Sequence, residues 1–397
     1  MEFQVDRGAL ADAVAWAART LPSRPALPVL AGLLVEATGD GELTLAAFDY
    51  EVSARARITV ADGLTVTEPG RVLVPGRLLA EIVRNLPPQP VQVALKGAEA
   101  VVTCGSAEFG LLSLPVEDYP GLPEPPVHAG TVPGGVFADA VAQVTPAAGR
   151  DDTLPMLTGV RIDIEGATMR MACTDRYRIA VRELAWTPAR DDFSAGIVVP
   201  ARTLADTAKA IRPGAEVAIG LSGTGAALLG VSGGGRSMTT RLLDDQFIDY
   251  RSRLTGMWST TVRVRTAPFV EAVKRVALVT ERSTPVRLAF GSGRVLIRAA
   301  SGDSARANES LPAALDGEEI DIAFSPQYLL DGLAGVRTEF ARLQCTGPTK
   351  AALLTAVPDP EKDTGASEAE VPDDAFPPDP GGDTGYHYLA MPVRLAS

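Results

Sequence analysis

One pattern of helix, turn and strand recurs three times along this 397-residue chain, and that recurrence restricts the fold more than composition does. Leu10, Ala13, Val14 and Ala17 fall at i, i+3, i+4 and i+7, the apolar stripe of an amphipathic helix. The stripe returns as Phe137, Ala140, Val141 and Val144, and again as Phe269, Ala272, Val273 and Val276. A polar turn and a proline-marked strand follow each copy: SRPALPVLAGLLVEA, RDDTLPMLTGVRIDI and ERSTPVRLAFGSGRVLI. A second helix repeats as VLVPGRLLAEIVRNL, IVVPARTLADTAKAI and IAFSPQYLLDGLAGV, with Pro75, Pro200 and Pro326 just before it and Leu79, Leu204 and Leu330 in matching places.

Between the helices, LTVTEPGRVLVP, ATMRMACTD, TTVRVRT and RVLIRAA alternate or are β-branched, which predicts strands. Each unit of about 125 residues therefore reads as a mainly antiparallel sheet with two helices on one face, an α+β layer arrangement. A repeat this long is a duplicated domain rather than a solenoid turn. Three tandem domains are expected at 1–127, 128–257 and 258–397, with the proline-rich LPEPPVHAG at the first boundary and LTGMWST near the second. Residues 358–385 carry nine acids and one lysine between two strand-like runs, KAALLTAV and YHYLAMPVRL, and are expected to be a disordered insertion in a hairpin.

Charge and composition remove several function classes. The net charge is −12, and the acidic insertion alone supplies −8 of it. Such a chain does not coat nucleic acid by bulk charge, although a local basic face remains open. No apolar run reaches the ~18 residues of a membrane span, and MEFQVDRGAL is no signal peptide, so a cytoplasmic protein is expected. Three cysteines, Cys104, Cys173 and Cys345, suit a reducing compartment. With two histidines, His128 and His387, neither a histidine metal site nor Ser-His-Asp chemistry is expected, and no cofactor is implied.

The glycine-rich 220–237 lacks the GK[ST] ending of a phosphate loop and reads as a hairpin. Asp151–Asp152 and Asp244–Asp245 read as turn or cap residues; an α+β enzyme using Asp151, Asp152 or Asp175 as acid or base is the weakest alternative. Basic residues draw more interest by position. Arg7, Arg19, Arg77, Arg84, Arg202, Lys209, Arg212, Lys274 and Arg275 lie on or beside the six helices, and Arg24, Arg150 and Arg282 lie in the turns after the first helix of each unit. Cations at helix ends are ordinary, yet three equivalent arginine-bearing faces would form one surface suited to phosphates rather than base edges. CTDRYRIAVRE, DQFIDYRSRL and YLAMPVRL mix apolar and charged residues. Met391, Pro392 and Val393 fit either a last core strand or an exposed surface for a short peptide with apolar anchors.

RPALPVLAGLL, RDDTLPMLTGV, TDRYRIAV and the terminal MPVRL, in that order on a triplicated chain, resemble the bacterial sliding clamps, the beta subunits of DNA polymerase III. RDDTLPMLTGV and APFVEAVKRVALV are similar to actinobacterial members in particular. The resemblance covers the chain apart from the acidic insertion. It implies the DNA-clamp fold: a head-to-tail homodimer forming a ring of six domains, with sheets outside and two helices per domain lining a hole for double-stranded DNA, held without sequence preference. Such a protein is an accessory subunit with no catalytic residues, and it works with the polymerase III alpha subunit, a clamp loader and other clamp-binding proteins. Arg24 matches a DNA-contacting position, and Arg77, Arg150, Arg202 and Arg282 are expected on the same lining.

The resemblance also implies a partner-peptide pocket at Leu157, Thr174, Arg178, Ile179, Met391, Pro392, Val393 and Arg394. A subunit contact is implied between Phe109 and Leu111 on one side and Leu278 and Val279 on the other. Departures cluster at the pocket: Ile248 stands where the family usually has proline, and Ser252 and Arg253 replace a basic and apolar pair. These point to a second clamp copy altered to escape a pocket-directed inhibitor. The remaining alternative is a clamp-like scaffold that binds proteins without encircling DNA.

Overall fold

The computed structural model describes the chain except residues 152, 212–213, 223–226, 244–245, 282–283, 292, 302–303, 358–384 and 395–397. The expected insertion, apart from Gly385, and Arg282 therefore lie outside the described residues, as do Asp152, Arg212 and the Asp244–Asp245 pair. Seven helices are described: α1 (Arg7–Ala18), α2 (Gly76–Asn85), α3 (Gly134–Val144), α4 (Ala201–Ala210), the single turn α5 (Arg251–Leu254), α6 (Thr266–Ala277) and α7 (Pro326–Gly335). Among the described residues, no helix is long and apolar enough to cross a membrane.

The apolar stripes do what their spacing requires. Leu10, Ala13, Val14 and Ala17 of α1 are buried, as are Phe137, Ala140, Val141 and Val144 of α3 and Phe269, Ala272, Val273 and Val276 of α6. Asp6 caps α1, its carboxylate accepting from the Ala9 amide at 2.9 Å. The second-helix repeat holds in two copies only. Leu79 and Leu204 are buried, whereas Leu330 is half-exposed and Leu329 takes the inner place. Pro75 and Pro200 precede their helices, but Pro326 is the first residue of α7, so its helical phase is advanced by one residue.

The contacts divide the chain into two compact units, residues 1–138, 186–193 and 206–242, and residues 139–185, 194–205 and 243–397. In the first, α1 packs on α2 and on the strands Glu42–Phe48 and Val52–Thr59. A five-stranded sheet runs in the order Thr65–Glu68, Glu2–Val5, Val91–Lys96, Glu99–Cys104 and Ala107–Leu112, and a nine-stranded sheet lies in the same unit. In the second unit, α6 packs on α7 and on a four-stranded sheet, and another nine-stranded sheet runs beside them.

Each nine-stranded sheet joins two repeats. In the first unit Arg236–Arg241 pairs antiparallel with Val52–Thr59; in the second Arg178–Ala185 pairs antiparallel with Tyr386–Ala390. One sheet per repeat was the expectation from sequence. The fusion arises because an edge strand presents unpaired N–H and C=O groups that a neighbouring edge can satisfy. The glycine-rich segment ends in a hairpin, Leu228–Gly233 with Arg236–Arg241, turning through Gly234 and Gly235 at positive φ. Pro28 and Pro155 open one-turn 3-10 helices ahead of their strands rather than marking the strands themselves. The strand Tyr386–Ala390 pairs with Ala352–Ala356, and Met391–Arg394 follow it without regular structure.

Candidate functional site

In the second unit an apolar cluster is built on one face of the nine-stranded sheet. Ala172, Ile179, Val181, Leu353 and Leu389 come from four neighbouring strands, and Tyr250 closes over them. Phe247, Leu254, Trp258 and Ala351 pack against its rim. The alternation of the strands places these side chains together: Ile179 faces Leu389, and Leu389 faces Leu353 across the ladder. Large apolar groups remain in solvent beside it, including Tyr177 (55% exposed), Met391 (44%) and Ile248 (37%).

The segment from Phe247 to Leu254 is held by charge as well as by packing. The Tyr250 hydroxyl donates to Asp163 Oδ2 at 2.7 Å, and Arg251 Nη2 donates to Glu165 Oε1 at 2.7 Å. Burial pushes the Tyr250 phenol up to about 12, and its bond to Asp163 adds to this. Arg170 extends the network, bonding both Glu165 and Glu183.

The turn Thr174–Arg178 forms one border of the cluster. The Asp175 carboxylate accepts from the Tyr177 and Arg178 amides at 3.0 and 3.1 Å, and Thr174 Oγ1 donates to the Arg178 carbonyl at 2.7 Å. Arg176 sits at φ +80°, in the left-handed region. The chain end is pinned to this turn, since the Met391 amide donates to the Tyr177 carbonyl at 2.8 Å, and the Val393 amide donates to the Ala323 carbonyl at 2.8 Å.

Arg178 is not at the surface. Only 7% of it is exposed. Nε donates to Asp175 Oδ2 at 2.9 Å, Nη1 to Asp331 Oδ2 at 2.5 Å and to the Tyr388 hydroxyl at 3.3 Å, and Nη2 to the Pro146 carbonyl. The guanidinium lies 4.3 Å from the centre of the Tyr328 ring. Burial alone would lower its pKa, but Tyr388, Asp331 and Asp175 outweigh that and hold it above the usual arginine value. It thereby ties a second-repeat strand to a third-repeat helix.

The residues expected in a peptide pocket thus separate. Ile179 is a buried member of the apolar cluster, Met391 and Ile248 are exposed, Pro392 and Val393 are half-buried, and Arg394 is exposed. Thr174, Leu157 and Arg178 are buried supports; Leu157 holds the loop before it by accepting the Gly149 amide at 2.7 Å. Tyr250, Leu353 and Leu389 were absent from the expected set, although DQFIDYRSRL and YLAMPVRL both stand out in the sequence. Leu353 carried no signal beyond that of an ordinary strand.

The basic positions are placed as follows. In the first unit Arg24 is exposed, and Arg77 is exposed with its guanidinium bonded to the Leu21 and Pro22 carbonyls at 3.4 and 3.1 Å, which steadies the turn that carries Arg24. In the second unit Arg150 and Arg202 are exposed and line one cleft of about 670 Å³ together with Pro146, Thr158, Gln327 and Asp331. Of the expected subunit-contact residues, Phe109 is 39% and Leu278 83% exposed, Val279 is half-buried, and Leu111 is 2% exposed and belongs to its own core. Leu112, on the same edge strand, is 73% exposed.

Of the carboxylates considered for acid–base chemistry, Asp151 and Asp175 have structural partners. Asp151 accepts the Thr153 amide and hydroxyl at 3.0 and 2.7 Å, which lowers its pKa, and Asp175 is ion-paired with Arg178. Among the described residues no cluster of three or more His, Cys, Asp or Glu could hold a metal ion.

Sequence models of the DNA polymerase III beta subunit match the chain three times: its N-terminal domain over residues 1–123, its central domain over 131–249 and its C-terminal domain over 258–365. The chain is 51% identical to the beta sliding clamp of Streptomyces coelicolor over 398 residues, covering all of both chains. It is 42% identical over 395 residues to the beta sliding clamp homolog GriR of Streptomyces muensis, again covering all of both. The crystal structure of the Pseudomonas aeruginosa sliding clamp bound to griselimycin superposes with a TM-score of 0.82 at 25% identity over the full length of both chains.

Proposed function

Since this chain belongs to the DNA polymerase III beta subunit family, the sliding clamps, we propose that two copies close head to tail around duplex DNA and tether the replicative polymerase to it. The observation that carries the proposal is the repeated helix pair: α1 on α2 in one unit and α6 on α7 in the other, each backed by antiparallel sheet, with arginines exposed on or beside the helices. Domains at 1–127, 128–257 and 258–397 would supply two long helices each. In a closed ring retention is topological, so the lining needs only weak, sequence-independent attraction to phosphates. Arg24, Arg77, Arg150 and Arg202 serve as that attraction. An acidic chain can do this work because the basic groups are local.

Phe109 and Leu112 on the edge strand, with Leu278 and Val279 after α6, form the subunit contact. The apolar cluster around Ile179, Tyr250, Leu353 and Leu389, with Ile248 and the chain end Met391–Arg394, receives a short peptide from the polymerase, the loader and other clamp-binding proteins. The protein acts in the cytoplasm, on the chromosome, as an accessory subunit without its own active site.

The test is retention on nicked circular DNA after incubation with a bacterial clamp loader and ATP, followed by linearisation. Protein that stays on the circle and leaves the cut DNA is a topological clamp. Protein that never loads, and that runs as a monomer of 41.5 kDa rather than a dimer, is the scaffold that does not encircle DNA.

A second reading concerns the chain's place in its host. Ile248, Ser252 and Arg253 beside the cluster, together with the likeness to a clamp homolog, support an additional, inhibitor-tolerant copy. Griselimycin is the probe: affinity equal to that of a housekeeping clamp overturns this reading.

A further inference from the structure

The turn Thr174–Arg178 carries two arginines of opposite disposition. Arg178 has four hydrogen bonds to protein acceptors, and an aromatic ring covers the face of its guanidinium. Turning it toward a bound peptide would strand the Asp331 and Asp175 carboxylates, 20% and 15% exposed, without their cation. Arg176, two residues earlier, is exposed and sits in the left-handed backbone region beside Tyr177. Its side chain makes no hydrogen bond or ion pair among the described residues; its guanidinium lies 6.0 Å from the centre of the Tyr177 ring, and its charge reaches Asp151.

Two further arginines flank the same apolar surface. Arg253 is exposed and directly precedes Leu254, which packs against the cluster. Arg394 is exposed and follows the Met391–Val393 segment pinned to Tyr177 and Ala323. Neither side chain has a hydrogen bond or ion pair among the described residues. The acids closest in sequence are engaged elsewhere: Asp175 with Arg178, and Asp249 with the Ser252 amide.

We propose that Arg176, Arg253 and Arg394 read charge around the exposed apolar side chains Tyr177, Ile248 and Met391, so that the preferred ligands of this surface are peptides whose apolar anchors are flanked by carboxylates, and that Arg178 is a positioning residue. This rests on the reading of this surface as a peptide site. Solvent-exposed cations attract over about one Debye length, ~8 Å at physiological salt, and act mainly on association rate. The preference must therefore fade as salt rises, whereas the apolar contribution does not.

The test uses two synthetic nonapeptides with identical leucine anchors, flanked by three aspartates in one and three asparagines in the other, titrated against the full-length protein. At low salt the acidic peptide is expected to bind about 5-fold tighter, the difference collapsing at 0.5 M NaCl. The triple variant R176Q/R253Q/R394Q is expected to lose the difference while holding the neutral peptide within about 2-fold of wild type. Arg178→Lys is expected to weaken both peptides together and leave their ratio intact. Binding of both peptides with equal affinity overturns the proposal while the peptide-site reading stands; binding of neither removes the peptide-site reading and the proposal with it. Loss of the ratio in Arg178→Lys alone places charge reading at Arg178 and overturns the proposal.

Discussion

Arg178 and Tyr250 show how single side chains fix the geometry of this surface. Arg178 meets two carboxylates, a carbonyl and a phenol from four separate stretches of chain. Removing one partner of such a buried pair costs about 3–5 kcal/mol. Arg178→Gln should therefore lower the urea midpoint markedly, whereas Arg176→Gln should leave the unfolding free energy within about 0.5 kcal/mol of wild type. Tyr250 yields a pH-dependent prediction. Its folded pKa, about 12, lies above the ordinary tyrosine value of 10. The unfolded chain therefore ionises first as pH rises, so the contribution is complete below pH 10 and is lost by about pH 12. That difference corresponds to on the order of 3 kcal/mol. Urea midpoints at pH 9 and pH 11 should converge in Tyr250→Phe relative to wild type; the slope will not vanish, because burial also pushes Tyr119 to about 12. TDRYRIAV marks Arg178 in the sequence, but whether a charge faces solvent or a carboxylate 153 residues later is not written in local sequence.

At the scale of elements, α7 is the informative case. Its glycines let it approach the strand Tyr386–Ala390. A Cβ on Gly332 would meet Tyr388 Cδ1 at 2.5 Å, and one on Gly335 would overlap the Tyr386 ring. Helix propensity favours alanine over glycine by about 1 kcal/mol, but overpacking against buried tyrosines costs about 1–3 kcal/mol and wins. Gly332→Ala and Gly335→Ala are accordingly expected to lower the thermal midpoint, although both are better helix formers. The 3.6-residue stripes of α1, α3 and α6 were readable because their apolar side chains all face inward. The phase of α7 was not, because Pro326 can either precede a helix or begin it, and the packing of Leu329 and Leu333 decides.

For the whole molecule, the repeats share sheets, and the strand ladder continues from one repeat into the next. Continuous ladders make the repeats unsuited to independent excision, since each cut would expose an unpaired edge. A head-to-tail dimer would place the edge strand Ala107–Leu112 against a second copy. Phe109→Asp combined with Leu278→Asp buries two carboxylates in that contact and should shift the sedimentation mass from about twice 41.5 kDa to a single chain. An unchanged mass would assign the contact to other residues. Leu111 cannot take part through its side chain, which lies inside its own domain.

By itself the sequence determined the number of repeats, the helices with their inward stripes, most strands, and the family, because hydrophobic periodicity and short motifs are properties of neighbouring residues. Only the tertiary structure decided which repeats share a sheet, which arginines are buried and which exposed, and that Tyr250, Leu353 and Leu389 converge on Ile179. Those outcomes depend on pairing between strands as much as 212 residues apart, where the free energy of satisfying an edge or a buried charge is settled by whatever the fold brings opposite it.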